Sequence, residues 1–247
     1  MDSYFLLILP AIAVVAFFLK GLTGFGPALI FIPIGALIFD PQSIIVASSF
    51  LDLTAGLIMW RRVRSVQSIP FLLGIVVAMS IGTVFGVYLL SAFPTETFRI
   101  LLGIAVLILG LWFAVFRSRT SFGQLKERLP EKCNRKDIGY SAFAGISGGL
   151  FGISGPPIIW HLGKQYRMST FRDLLIVFFV FAAIARIISF SVAGMVNYET
   201  MMYTVAGIPG LFIGLYFGTK VFLKIDEAMF SKAVGIALIA FAILLVV

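Results

Sequence analysis

Two glycine–proline breaks interrupt long apolar stretches of this chain. The first reads Gly21-Leu22-Thr23-Gly24-Phe25-Gly26-Pro27, the second Gly149-Leu150-Phe151-Gly152-Ile153-Ser154-Gly155-Pro156-Pro157. Both follow one frame, with one residue inserted in the second. Proline fixes φ and lacks an N–H, so it suits the first turn of a helix. Pro27 and Pro156 are therefore expected at helix starts, where unpaired N–H groups and the positive dipole end attract anions. Thr23 and Ser154 add hydroxyl donors. Gly24, Gly26, Gly152 and Gly155 let backbone approach a ligand closely. The chemistry this pattern predicts is the holding of a small anion. The plainer alternative is a kink filled by packing, which leaves the duplication unexplained.

Three charges fall within apolar sequence: Lys20 before the first break, Asp52 midway along 44–60, and Arg186 midway along 174–196. Charges at such depth are expensive and face a protein interior or a cavity. Asp52 has Ser48, Ser49, Ala55 and Gly56 at three- and four-residue offsets, and Arg186 has Ala182, Ala183, Ser189 and Phe190. Each charge thus rides a mostly small, partly polar helix stripe. Two readings stand side by side. Asp52 forms a structural pair with Arg186 or Lys20; or Arg186 or Lys20 binds the anion while Asp52 carries a coupling proton. His161, one turn beyond Pro157, is a second proton candidate, with a packed or hydrogen-bonded histidine as the alternative.

Other chemistries find no support. One histidine and one cysteine do not build a metal cluster, so no metal and no cofactor is expected. Nothing singles out a serine and a carboxylate to join His161 in a triad, so the chain is not read as an enzyme. The breaks lack the lysine–serine ending of a phosphate loop. Cys133 is the only cysteine, and no intramolecular disulfide follows.

The elements that position these residues are membrane helices. The 247 residues are 60% hydrophobic and 12% charged, against about 25% charged in a soluble domain. Mean hydropathy is +1.08. Segment 69–93 has no charged residue and is long enough to cross a hydrocarbon layer of about 30 Å. Segments 44–60, 100–116, 174–196, 200–219 and 229–247 read as further spans, with Lys232 placed to snorkel. The net charge of +8 does not indicate nucleic acid, because the basic residues sit between spans. Met1-Asp2-Ser3-Tyr4 lacks the basic n-region of a signal peptide.

The chain is also duplicated. Ile81-Gly82-Thr83-Val84-Phe85-Gly86 matches Ile213-Gly214-Leu215-Tyr216-Phe217-Gly218, and the same offset of 132 takes Phe98 to Phe230 and Gly103-Ile104-Ala105 to Gly235-Ile236-Ala237. Basic residues set the topology. Arg61, Arg62 and Arg64, and the loop with Arg117, Arg119, Lys126, Arg128, Lys132, Arg135 and Lys136, are placed inside. If 138–163 dips in, breaks and returns, Lys164, Arg167, Arg172, Lys220 and Lys224 are inside too. Asp2, Asp40, Glu96 and the loop 194–199 are then outside, as are both termini. Each half becomes a broken hairpin plus three spans, an odd number that inverts the second half. The expected fold is an all-α polytopic membrane protein of two inverted repeats. Its parts are an N-terminal repeat 1–116, a basic cytoplasmic loop 117–137 and a C-terminal repeat 138–247. The hairpins are re-entrant or fully crossing; the short arm 156–166 favours re-entrant.

The first break, the following Arg61-Arg62, the run Gly148-Gly149-Leu150-Phe151-Gly152-Ile153-Ser154-Gly155-Pro156-Pro157 and the duplicated half resemble the TauE/SafE family of membrane permeases. The chain departs from many members at Pro27-Ala28, where they carry a glycine run. The resemblance implies transport of a small anion, often sulfur-containing: sulfite, a sulfonate or sulfoacetate. The function expected is secondary transport across a plasma membrane of the bacterial inner-membrane type. The alternative is an anion channel using the same site without alternating access. Expected partners are the anion, the bilayer and a coupling proton; the oligomeric state is left open.

Overall fold

The computed structural model describes residues 3–24, 26–61, 63, 68–116, 130–163, 165, 166, 168–221 and 227–246. Among them the regular elements are helices: α1 Ser3–Thr23, α2 Ala28–Ile38, α3 Pro41–Trp60, α4 Ile69–Ala92, α5 Thr95–Leu111, α6 Arg135–Phe151, α7 Gly155–Leu162, α8 Met168–Val192, α9 Tyr198–Val221 and α10 Glu227–Val246. A π-helical turn, Trp112–Phe116, continues α5. The six segments read as spans fall on α3, α4, α5 with its π turn, α8, α9 and α10. The two breaks separate α1 from α2 and α6 from α7. Arg62, Arg64, Arg117, Arg119, Lys126, Arg128, Lys164, Arg167 and Lys224, used above to set topology, lie outside the described residues, as does the Lys232 side chain.

Short polar side chains start several helices. The Asp40 carboxylate accepts the Ser43 N–H at 2.7 Å ahead of α3. Asn134 and Asp137 accept each other's backbone N–H at 2.8 and 2.9 Å ahead of α6. Each satisfies helix-start donors that apolar neighbours cannot.

Among the described residues five helices are long and apolar enough to cross a membrane: Pro41–Trp60, Ile69–Ala92, Thr95–Ala114, Thr170–Val192 and Tyr198–Lys220. In α4, Ile69, Leu73, Val77, Ile81, Val84 and Tyr88 are exposed along one face, while Phe71, Ile75, Met79, Gly82 and Gly86 are buried. A continuous apolar face of this length is costly in water and costs nothing against lipid.

The helices form two compact units. One holds α1, α2, α5, α9, α10 and the start of α3; the other holds α4, α6, α7, α8 and the rest of α3. In the first unit α1 packs along α9, and in the second α4 packs along α6. The duplication seen in the sequence recurs in these two pairs. A Cβ on Gly82 would stand 2.1 Å from the Ala142 carbonyl oxygen and one on Gly86 2.3 Å from that of Ile146. A Cβ on Gly214 would stand 2.3 Å from the Val14 oxygen and one on Gly218 2.2 Å from that of Phe18. Each residue of the first set has its counterpart in the second at one constant offset per helix.

Backbone, not a yielding side chain, blocks these positions. Gly86→Ala and Gly218→Ala are each expected to lower the thermal transition of the purified protein, at a cost of about 1–3 kcal/mol. Gly139→Ala is the control: its Cβ meets nothing within 4 Å, and alanine favours the helix. Equal behaviour of Gly86→Ala and Gly139→Ala would refute the close packing.

Candidate functional site: an arginine at the second break

The second break forms because α6 cannot continue past Gly152. Gly152 has φ +73, the left-handed conformation that ends helices and that side chains with a Cβ resist. Its N–H still closes α6 by donating to the Gly148 carbonyl at 3.0 Å. Ser154 stands immediately before α7 without a side-chain capping bond, and Gly155, Pro156 and Pro157 open the helix. Two prolines in that first turn leave fewer N–H groups than an ordinary helix start offers. The helix terminus alone is therefore a weaker anion site than the sequence pattern implies.

Arg186 reaches this break. It is carried by α8 and is only 2% exposed. Its Nη1 donates to the Gly152 carbonyl at 3.3 Å and to Ser154 Oγ at 3.2 Å. Its Nη2 donates to Asp52 Oδ2 on α3 at 2.8 Å. Its Nε is buried and has no hydrogen-bond partner among the described residues. One guanidinium thus joins the break, the serine and an acid deep within α3. As an acceptor from Arg186, Ser154 keeps its own O–H hydrogen for another acceptor.

The surroundings are shaped for this contact. A Cβ on Gly148 would stand 1.9 Å from Ser154 Oγ and 3.6 Å from Arg186 Nη1, so only glycine leaves room for the serine. Asp52 is 5% exposed, with Ser48 and Ser49 buried on the preceding turn. Ser48 spends its hydroxyl on the Ile45 carbonyl at 2.9 Å.

Arg186, Asp52, Gly152 and Ser154 come together, with Gly155 and Pro156 beginning the adjoining helix. His161 is on the last turn of the same α7 and meets Asp137 there, not Arg186. The first break belongs to the other unit. There Gly24 and Gly26 take φ of +82 and +84, and Pro27, already helical at φ −60, caps α2. Lys20 is fully buried on α1. Thr23 ends α1, and its side chain lies outside the described residues, as does Phe25.

Gly148 and Asp137 were not singled out from the sequence. Gly148 stands in a glycine pair, a signal readable as close approach. Asp137 reads as one more charge in a basic loop, although Asn134 three residues earlier is a helix-cap signature.

A protein-family model described as Sulfite exporter TauE/SafE matches residues 9–245, nearly the whole chain. Neither a curated protein nor a solved structure matches it.

Proposed function

We propose, because this chain belongs to the sulfite exporter TauE/SafE family, that it is a secondary transporter in which a small sulfur oxyanion and Asp52 take turns on Arg186. The observation that carries the reading is the buried guanidinium, shared between a carboxylate and the broken hairpin. Without substrate, Asp52 neutralises Arg186. A proton on Asp52 removes that counter-charge, and the anion takes its place with Ser154 and the start of α7 as further donors. A planar guanidinium suits this task because it presents paired donors to an oxyanion. Anion and proton then travel together, so net charge in the site stays constant through the exchange.

The same reading assigns Lys20, Thr23, Gly24, Gly26 and Pro27 to anion contact at the start of α2. It also divides the chain into two inverted repeats, 1–116 and 138–247, about the basic loop 117–137, and sets them in a plasma membrane of the bacterial inner-membrane type with both termini outside. The chemistry is carriage of an anion, with no bond made or broken.

The test is uptake and efflux of labelled sulfite and of sulfonates in proteoliposomes under imposed pH gradients. Saturation, counterflow and a proton-driven gradient are expected. Flux that neither saturates nor supports counterflow would replace the carrier by a channel. Orientation has its own test. In a Cys133→Ala background, cysteines at Gln124 and Gln165 are expected to react from the cytoplasmic side, and one at Pro94 from the outside. Labelling of positions 124 and 165 from opposite sides would end the inverted arrangement.

A further inference from the structure

The second hairpin closes on itself at its open end, away from Arg186. Asp137, in the first turn of α6, is 4% exposed. Its Oδ2 accepts the Asn134 N–H at 2.9 Å, and its Oδ1 lies 2.6 Å from His161 Nε2 in the last turn of α7. The His161 ring stacks on Tyr140, one turn along α6, with centroids 4.4 Å apart and planes 10° apart. The His161 carbonyl accepts from Gln165 Nε2 at 2.7 Å. The entry of α6 and the exit of α7 are thus held together by one carboxylate–imidazole contact.

We infer that Asp137 and His161 form a second proton-binding site, which latches α7 to α6 when His161 is protonated. Nε2–H donates to the carboxylate, so the added proton goes to Nδ1 and no bond breaks. Three features of the fold would meet a protonated ring. The carboxylate becomes an ion-pair partner in a largely buried setting. The Tyr140 face lies against the charged ring. The charge sits in the C-terminal turn of α7, at the negative end of its dipole. Histidine changes charge between about pH 5 and 8, so acidification at this end tightens the latch and alkalinisation loosens it.

The neighbouring titratable groups fit an ionised Asp137. Facing His161 from α6 are Asp137 and Tyr140. Cys133, on the segment before α6, donates its Sγ–H to the Phe71 carbonyl at 3.0 Å. Burial first, then the Asp137 charge, pushes the Cys133 thiol up. Tyr166, on the segment after α7, is pushed up to about 12 by burial, then by Asp137 and Cys133. Neither competes for the proton near neutrality.

His161 is the only histidine in the chain, so a tag-free protein labelled in its histidine ring reports this site alone by NMR. Near pH 7 the ratio of protonated to neutral ring is expected to fall in Asp137→Asn. An unchanged ratio would overturn the inference. Asp137→Asn is also expected to raise the rate at which the native Cys133 is alkylated, since it removes the charge that holds the thiolate down. An unaltered rate would count equally against an ionised Asp137. Where that variant does not fold, wild-type and His161→Gln proteins carry the test. Wild-type thermal stability is expected to fall as pH rises through the range in which histidine loses its charge, and His161→Gln to lose that fall; a variant that keeps it refutes the latch. None of these readouts uses transport, so the inference stands or fails apart from the reading of Arg186.

Discussion

Asp52→Asn is expected to abolish the dependence of anion binding on pH while preserving exchange of anion for anion. On the proposed exchange, the anion binds together with a proton, so apparent affinity for the anion is expected to rise as pH falls, by up to about tenfold per pH unit for one linked proton. A sulfonate is the clean ligand for this measurement, because its own charge does not change over the range. Asparagine keeps the shape and removes the titrating group, so the slope should vanish. The cost is an unbalanced Arg186: losing one partner of a buried ion pair destabilises by about 3–5 kcal/mol. The proposal predicts where that stability returns. Added anion takes the empty position beside Arg186 and should raise the variant's thermal transition more than the wild type's, by linkage of binding to folding. A variant that is destabilised, gains nothing from anion and still shows a pH slope would leave Asp52–Arg186 a structural pair only. A stable variant with unchanged pH-driven flux would remove both roles from Asp52.

The second large effect belongs to Arg186. Arg186→Gln removes one partner of the buried Asp52–Arg186 pair, an effect of about 3–5 kcal/mol, and transport is expected to be lost. The double variant Asp52→Asn with Arg186→Gln is the decisive comparison. It removes both charges and leaves two amides able to hydrogen-bond, and replacing a whole buried pair is often close to neutral for stability. Its thermal transition should therefore return most of the way to wild type, while anion exchange stays absent. Arg186→Lys separates charge from shape: a lysine keeps the cation but loses the planar fork that spans Asp52, Ser154 and the Gly152 carbonyl. Weakened exchange with a nearly intact fold is expected. Exchange at wild-type rate in the double variant would show that the anion passes elsewhere.

The chain determined by itself whatever depends on near neighbours in sequence. Hydropathy alone marks the helices from Pro41 to Trp60 and from Ile69 to Ala92, because a lipid-facing helix must be apolar over its whole length. Glycine and proline mark both breaks, because Gly152 at φ +73 and the prolines after it oppose a continuous helix wherever they stand. The depth of Asp52 and Arg186 in their spans was equally plain, and so was the duplication. Only the tertiary structure decided what these groups touch. Asp52 and Arg186 are 134 residues apart, and the 2.8 Å contact between them depends on how α3 and α8 lie beside each other. The sequence left both Lys20 and Arg186 open as partners of Asp52, since helix periodicity gives the face a side chain occupies but not the helix it meets. The same limit hid Gly148, whose missing Cβ makes room for Ser154, and Asp137, whose partner His161 is brought to it only by the turn at the break. Local physics places a charge on a face; packing supplies its counter-charge.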